Sequence, residues 1–292
     1  MPAHSPSGPS TTRTNSASSS ASDPGKGKSQ ALLNSVLCIL NSELGFRFMP
    51  KLNLPKRFIS IQLAFARRMS ELSGSPISDT LIDCTNLRTL LNIHVTNESA
   101  SDVPEWQTFL GGLDTANDAD QWAYSHYLEK EKTEPELEDR SCFWYSYPFR
   151  DQPKVRLHFS NADRSGHGAL SLERTDARQA ELIEILTEIH TKHPDAETVR
   201  GGSWLYNLDP YCRLFPPEYI ASRKPVGYEL QFWALWGQFL RGGFRISEEA
   251  VQQFLESVER AATAEECEQS FPYEVLRPEC DIQHFYQYYE IA

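Results

Sequence analysis

Hydrophobic residues between positions 31 and 130 recur at helical spacing. Ala31 to Leu44 carries Leu32, Leu33, Val36, Leu37, Ile39 and Leu40, which predicts a helix apolar on most sides, closing near Gly45. Pro55, a favoured residue at a helix start, opens a second helix with an inner stripe of Phe58, Ile61, Phe65, Met69 and Leu72. Arg67 and Arg68 lie toward its end, where the helix dipole favours cations, and Gly74-Ser-Pro76 stops it. A third helix, capped by Ser78 or Asp79, holds Leu81, Ile82, Leu87, Leu90 and Leu91. A fourth, from about Pro104 to Leu113, presents Trp106, Phe109 and Leu110, and a fifth, from about Asp118 to Lys130, presents Trp122, Tyr124 and Tyr127.

The period changes after the charged stretch Glu129 to Arg140, which reads as a solvated connector. Cys142-Phe-Trp-Tyr-Ser-Tyr147 is strand-like. Val155-Arg-Leu-His-Phe159 alternates, with Val155, Leu157 and Phe159 on one face and His158 turned away from it. The turn chemistry of Asp151-Gln-Pro153 joins the two as a hairpin. A helix from about Thr175 to His190 follows, striped by Leu182, Ile185, Leu186 and Ile189. Thr198-Val199 begins a strand expected to run through Leu205, and Asn207 to Asp209 is expected to cap a short helix from Pro210 to Phe215. The aromatic run Gly227 to Leu240 reads as a buried strand entering a helix, and Ser247-Glu-Glu starts an amphipathic helix through Val251, Phe254, Leu255 and Val258. No internal repeat is evident. The expected fold class is α+β: a disordered tail over 1–29, a helical lobe over 30–140 and a mixed α/β lobe over 141–292, the two lobes being compatible with one compact domain.

Composition narrows the function classes. Residues 1–29 are Ser, Pro, Thr, Ala and Gly with hardly an aliphatic, too few apolar groups to offset the entropy of ordering. The 292-residue chain carries 28 basic and 40 acidic residues, a net charge of -12. Such a surface repels phosphate backbones and anionic lipid, so no nucleic-acid or membrane partner is expected. There is no apolar run long enough for a transmembrane helix and no cationic start leading into one, so a cytoplasmic location is expected. Six cysteines are scattered without a Cys-x-x-Cys, which supports neither a zinc ribbon nor a redox pair.

Nucleophile, metal and phosphate motifs are each incomplete. Gly201-Gly-Ser203-Trp-Leu205 supplies half of a nucleophile elbow, but Trp204 follows the serine where the sharp turn needs a small residue. His190 and His193 have the spacing of two ligands on one helix face without a third nearby, so no metal is expected. The loop Arg164-Ser-Gly166-His-Gly168 sits between a strand and a helix, where glycines let backbone amides approach an anion, or simply make a surface loop. The densest segment is Arg200 to Tyr219, with aromatic residues, glycines, prolines and two arginines in twenty positions. It is the expected lining of a small-molecule cleft.

Two resemblances attach to these residues. Ile59-Ser-Ile-Gln-Leu63, Gly202-Ser-Trp-Leu-Tyr-Asn207 and Arg213-Leu-Phe-Pro-Pro217 together resemble an uncharacterised bacterial protein family, which implies no function. Val155 to Tyr219 is similar in layout to the acyl-CoA-binding half of GNAT-type N-acyltransferases. That similarity implies acyl-CoA as cofactor, held by Arg164, Gly166 and Gly168 with Ser203 on the following strand. It also implies Tyr211 as general acid, with Glu218 or His158 as base. The loop is one residue shorter than the family pattern, and its helix starts several residues late. The contrasting expectation is a non-enzymatic structural or protein-interaction protein, in which Trp204, Tyr206, Phe215 and Tyr219 form an aromatic hub.

Overall fold

The computed structural model describes residues 52–93, 103–131, 141–163 and 165–292. The helix expected over Ala31 to Leu44, the tail over 1–29, most of the connector before Arg140, and Arg164 lie outside these residues. Helix α1 (Lys56–Ser73) buries Phe58, Ile61, Phe65 and Met69, and Gly74 ends it at φ 72, returning its N–H to Ser70 O. The third helix of the sequence reading is two pieces, α2 (Ile77–Asp83) and α3 (Leu87–Leu90). Between them Asn86 gives its N–H to the buried Gln62 Oε1 at 2.8 Å, and Leu87 N–H goes to Thr85 Oγ1 at 3.2 Å. Side chains thus take donors that a continuous helix would direct to carbonyls. Helices α4 (Pro104–Thr115) and α5 (Ala119–Glu131) follow as the pattern predicts.

The α+β class is realised by a mixed four-stranded sheet in the spatial order β1 (Phe143–Ser146), β2 (Lys154–Phe159), β3 (Thr198–Arg200) and β8 (Glu279–Asp281). Strands β1 (Phe143–Ser146) and β2 (Lys154–Phe159) form the expected antiparallel hairpin. From β2 the chain crosses through α6 (Thr175–Lys192) to β3 (Thr198–Arg200), which lies parallel to β2. Parallel neighbours require such a crossover. Val155, Leu157 and Val199 bury one sheet face against Leu182, Ile185, Leu186 and Ile189 of α6.

The strand expected to reach Leu205 stops at Arg200. Ser203 makes a single bridge to Leu276, its hydroxyl accepts Leu205 N–H at 3.1 Å, and Trp204–Asn207 winds into a 3₁₀ turn. The capping bond outcompetes strand extension. Short elements follow: α7 (Asp209–Cys212), α8 (Pro217–Ala221) and β4 (Lys224–Pro225). The expected strand over the aromatic run is instead irregular backbone from Gly227, at φ 75, leading to one helical turn, α9 (Trp233–Trp236). Strands β5 (Leu240–Arg241) and β6 (Arg245–Ile246) precede α10 (Glu248–Arg260) and α11 (Ala264–Glu268). Strand β7 (Leu276–Arg277) pairs with β4, β8 (Glu279–Asp281) completes the main sheet, and α12 (Ile282–Tyr288) closes the described chain.

Two hydrophobic cores result. One joins α1 to α5 with residues 230–275, where Phe65, Trp236, Phe254 and Phe271 pack ring on ring. The other joins the sheet and α6 to Tyr206, Tyr211, Phe215, Tyr219 and Phe285. Both belong to one compact unit.

Candidate functional site

The sheet face opposite α6 carries a row of polar side chains fixed by register. Alternation in β2 sends Lys154, Arg156 and His158 to this face, because Val155 and Leu157 fill the core. Register places Ser146 of β1 and Arg200 of β3 on either side of Arg156, and Glu279 of β8 beside Arg200. Neighbouring strands stand about 4.8 Å apart, so Arg156 and Arg200 are adjacent cations.

Aromatic rings cover this pair. The Arg156 guanidinium carbon lies 5.1 Å from the centre of the Phe149 ring and 5.5 Å from that of Phe232. Arg150 and Arg200 approach the same Phe149 ring at 5.3 and 5.8 Å. Each contact is a cation–π attraction, strengthened by partial burial. Arg277, from β7, pairs with Glu229. The residues enclose a cleft of about 420 Å³ whose remaining wall includes Gly201, Gly202, Tyr228, Gln231 and Asp83.

Gathering these charges has an electrostatic consequence. Burial, then Arg277 and Arg200, push the Arg156 guanidinium down to about 10, and Glu229 opposes this only in part. Arg200 is lowered by burial first and Arg277 second. Both remain cationic near neutral pH, in a protein whose net charge is -12.

The turn that delivers Phe149 and Arg150 is strained. Arg150 and Asp151, the two residues between the bridged pair Phe149 and Gln152, both have φ 55. A two-residue hairpin loop of this kind prefers Asn or Gly at both places. Arg and Asp there raise the backbone energy, and strain of this sort concentrates at functional sites.

The residues singled out in the sequence fall in several different places. Tyr211 is 2% exposed, ringed by Phe143, Phe159, Tyr206 and Phe215. Burial holds its phenol well above the usual range. Glu218 is exposed on the first turn of α8. His158 stacks on Trp144 with ring centres 5.2 Å apart and places Nε2 2.6 Å from Ser146 Oγ. Burial first, and Arg156 second, hold this imidazole down to about 3, so it is neutral near pH 7 and a feeble base. Ser203 is occupied in capping.

Gly166, at φ 87, and Gly168 are exposed, and α6 begins only at Thr175, after a 3₁₀ turn over Leu172–Arg174. Beside that loop the buried Asp163 carboxylate lies 2.6 Å from Arg174 and 3.4 Å from Arg178. Arg213 donates to Leu170 O and Ser171 O, which ties down the segment that follows the loop. His190 and His193 take separate aromatic partners, Tyr286 and Tyr147. Of the segment Arg200 to Tyr219, only Arg200, Gly201 and Gly202 line the cleft. The sequence reading missed Phe149, Arg150, Arg156, Glu229 and Arg277 as cleft residues. One signal was present: the alternation that turned His158 outward does the same for Arg156.

Comparison of the chain with protein-family models, with curated proteins and with solved structures found no match. The chemistry of the cleft itself therefore carries the functional reading.

Proposed function

We propose that this chain binds a small organic anion in the arginine-lined cleft. The observation that carries the reading is three guanidiniums gathered around one phenyl ring in the wall of a half-open cleft. Like charges drawn together in a partly buried place cost free energy, and an anionic ligand offsets that cost. A volume of about 420 Å³ suits a small molecule. The Phe149 and Phe232 rings both contact the Arg156 guanidinium, which restricts its rotamers and so lowers the entropy lost on capture.

Acyl-CoA enters as one candidate ligand, since its phosphates are anions. The test is thermal unfolding of the full chain against small carboxylates, phosphates and acetyl-CoA at constant ionic strength. Binding at about 100 times Kd adds about 2.7 kcal/mol and raises Tm by several degrees. Arg156→Gln should cut the rise by half or more, through loss of a charged contact worth about 1.5–3 kcal/mol. Gly166→Val in the exposed loop should leave it intact. An acetyl-CoA response lost in Gly166→Val but kept in Arg156→Gln would return the site to the glycine loop. No response to any anion would refute the reading.

A further inference from the structure

We infer that Gly202 is the contact floor of the anion site, where a ligand oxyanion lies against bare backbone between the Arg200 and Arg277 side chains; this rests on the anion-binding reading above. Strands β2 and β3 part company at the cleft. Arg156 and Arg200 are their last partnered residues, although β2 continues to Phe159. Beyond Arg200 the chain keeps to its other neighbour: Gly201 N–H goes to Pro278 O at 3.0 Å and Ser203 N–H to Leu276 O at 3.1 Å. Alternation along an extended chain turns the Gly202 N–H between them the opposite way, toward the side that β2 has left. Among the described residues that N–H has no hydrogen-bond partner. A half-buried amide without a partner is a donor open to a ligand.

The fold does not require glycine at this position. The φ of Gly202 lies outside the left-handed region, and a Cβ built there would meet only Arg277 Cγ and Nε, both at 3.8 Å, an ordinary contact. Gly201 differs, since a Cβ there would collide with two tyrosine hydroxyls. A glycine in extended backbone weakens it relative to alanine, and it marks a place where a ligand or another backbone comes close. Nothing else in the protein lies within 4 Å of that Cβ position, so the space is left to a ligand. Arg200, two residues earlier, shares this face of the chain, and Arg200, Gly202 and Arg277 all line the cleft. Arg277 pairs with Glu229, and Arg200 lies 3.7 Å from Glu279. A guanidinium has more N–H donors than one carboxylate takes, so both keep donors for a ligand. An oxyanion over Gly202 then accepts the backbone N–H together with guanidinium N–H groups from both neighbours.

The test is isothermal titration of the full chain with benzoate, inorganic phosphate and acetyl-CoA, comparing wild type with Gly202→Ala and Gly202→Val. For each probe that binds, Gly202→Ala should weaken binding by about threefold or more and Gly202→Val by about tenfold or more. Gly202→Ala should melt at or above the wild-type Tm, because it leaves the unfolded chain less freedom and meets no collision. Gly168→Ala, in the exposed loop, should leave affinity unchanged. Gly202→Val should still weaken binding in an Arg277→Gln background, since its methyl groups cover the backbone itself. Four results each overturn the role of Gly202 and leave anion binding standing: unchanged affinity in Gly202→Val, no further loss in the Arg277→Gln background, an equal loss in Gly168→Ala, or a Gly202→Ala Tm several degrees below wild type. Failure of all three probes to bind the wild type overturns anion binding, and this inference with it.

Discussion

His158 is a half-buried imidazole whose surroundings keep it neutral: Trp144 covers the ring, Ser146 meets Nε2, and Arg156 opposes a second charge. Its folded pKa, about 3, lies below the ordinary value of 6.5. In the window between those values the unfolded chain binds a proton that the folded chain refuses. Stability therefore falls as pH drops below about 6.5, by up to about 1.4 kcal/mol per pH unit. Urea midpoints between about pH 6.5 and pH 5 should show that slope in the wild type and lose most of it in His158→Gln. Equal slopes would place the acid sensitivity elsewhere. Gly201, at the cleft floor, is constrained by contact. A Cβ there would overlap the hydroxyls of both Tyr206 and Tyr219, which hold each other at 2.9 Å. Gly201→Ala should cost about 1–3 kcal/mol by overpacking. Adding Tyr206→Phe and Tyr219→Phe together, which removes both colliding oxygens, should recover part of the loss in Tm. A triple variant that still carries the full Gly201→Ala loss relative to Tyr206→Phe/Tyr219→Phe would show that the strain does not come from those hydroxyls.

The hairpin turn joins stability to the site. Arg150 and Asp151 hold a backbone that asparagine and glycine hold more easily. Asp151→Gly should stabilise the fold by roughly 0.5–1 kcal/mol without touching the cleft. Arg150→Asn should also stabilise it, while weakening anion binding through the lost guanidinium. If Arg150→Asn leaves affinity unchanged, the strained turn serves something other than the ligand. Elements of this kind mark the limit of what could be read beforehand. Helices α1, α6 and α10 were legible because each repeats an apolar stripe over several turns. The hairpin was legible from alternation, although its loop is Arg150-Asp151 and the expected turn chemistry, Asp151 to Pro153, overlaps it only at Asp151. The stretch after Arg200 was not legible. A local bond from Ser203 to Leu205 N–H and a bridge to Leu276, more than seventy residues away, decide its path.

The cleft is assembled from Asp83, the turn and β2, Arg200 to Gly202, Tyr228 to Phe232, and Arg277, and no window of the sequence contains it. The net charge of -12 argued against phosphate-bearing partners in bulk, yet summed charge is blind to a local cluster of arginines set by strand register. The same non-local assembly governs folding. The chain leaves the helical core after α5, builds the sheet, returns to that core through residues 230–275, then re-enters the sheet at β7 and β8. Leu235, Trp236, Phe239, Phe254 and Phe271 are all buried there against or beside Phe65 of α1. A fragment of residues 141–292 alone would expose this aromatic set, far more apolar surface than a stable monomer tolerates. Expressed alone it should be insoluble or melt without cooperativity, and co-expression with residues 1–140 should restore a soluble complex with one unfolding transition. Within the intact chain, Phe271→Ala should cost about 3–5 kcal/mol. Its tryptophan fluorescence and far-ultraviolet transitions should still coincide, because the interleaved cores unfold as one unit. A monomeric 141–292 fragment with a sharp melt of its own would show that the sheet core supports residues 230–275 without the helices, and that the two cores are separable.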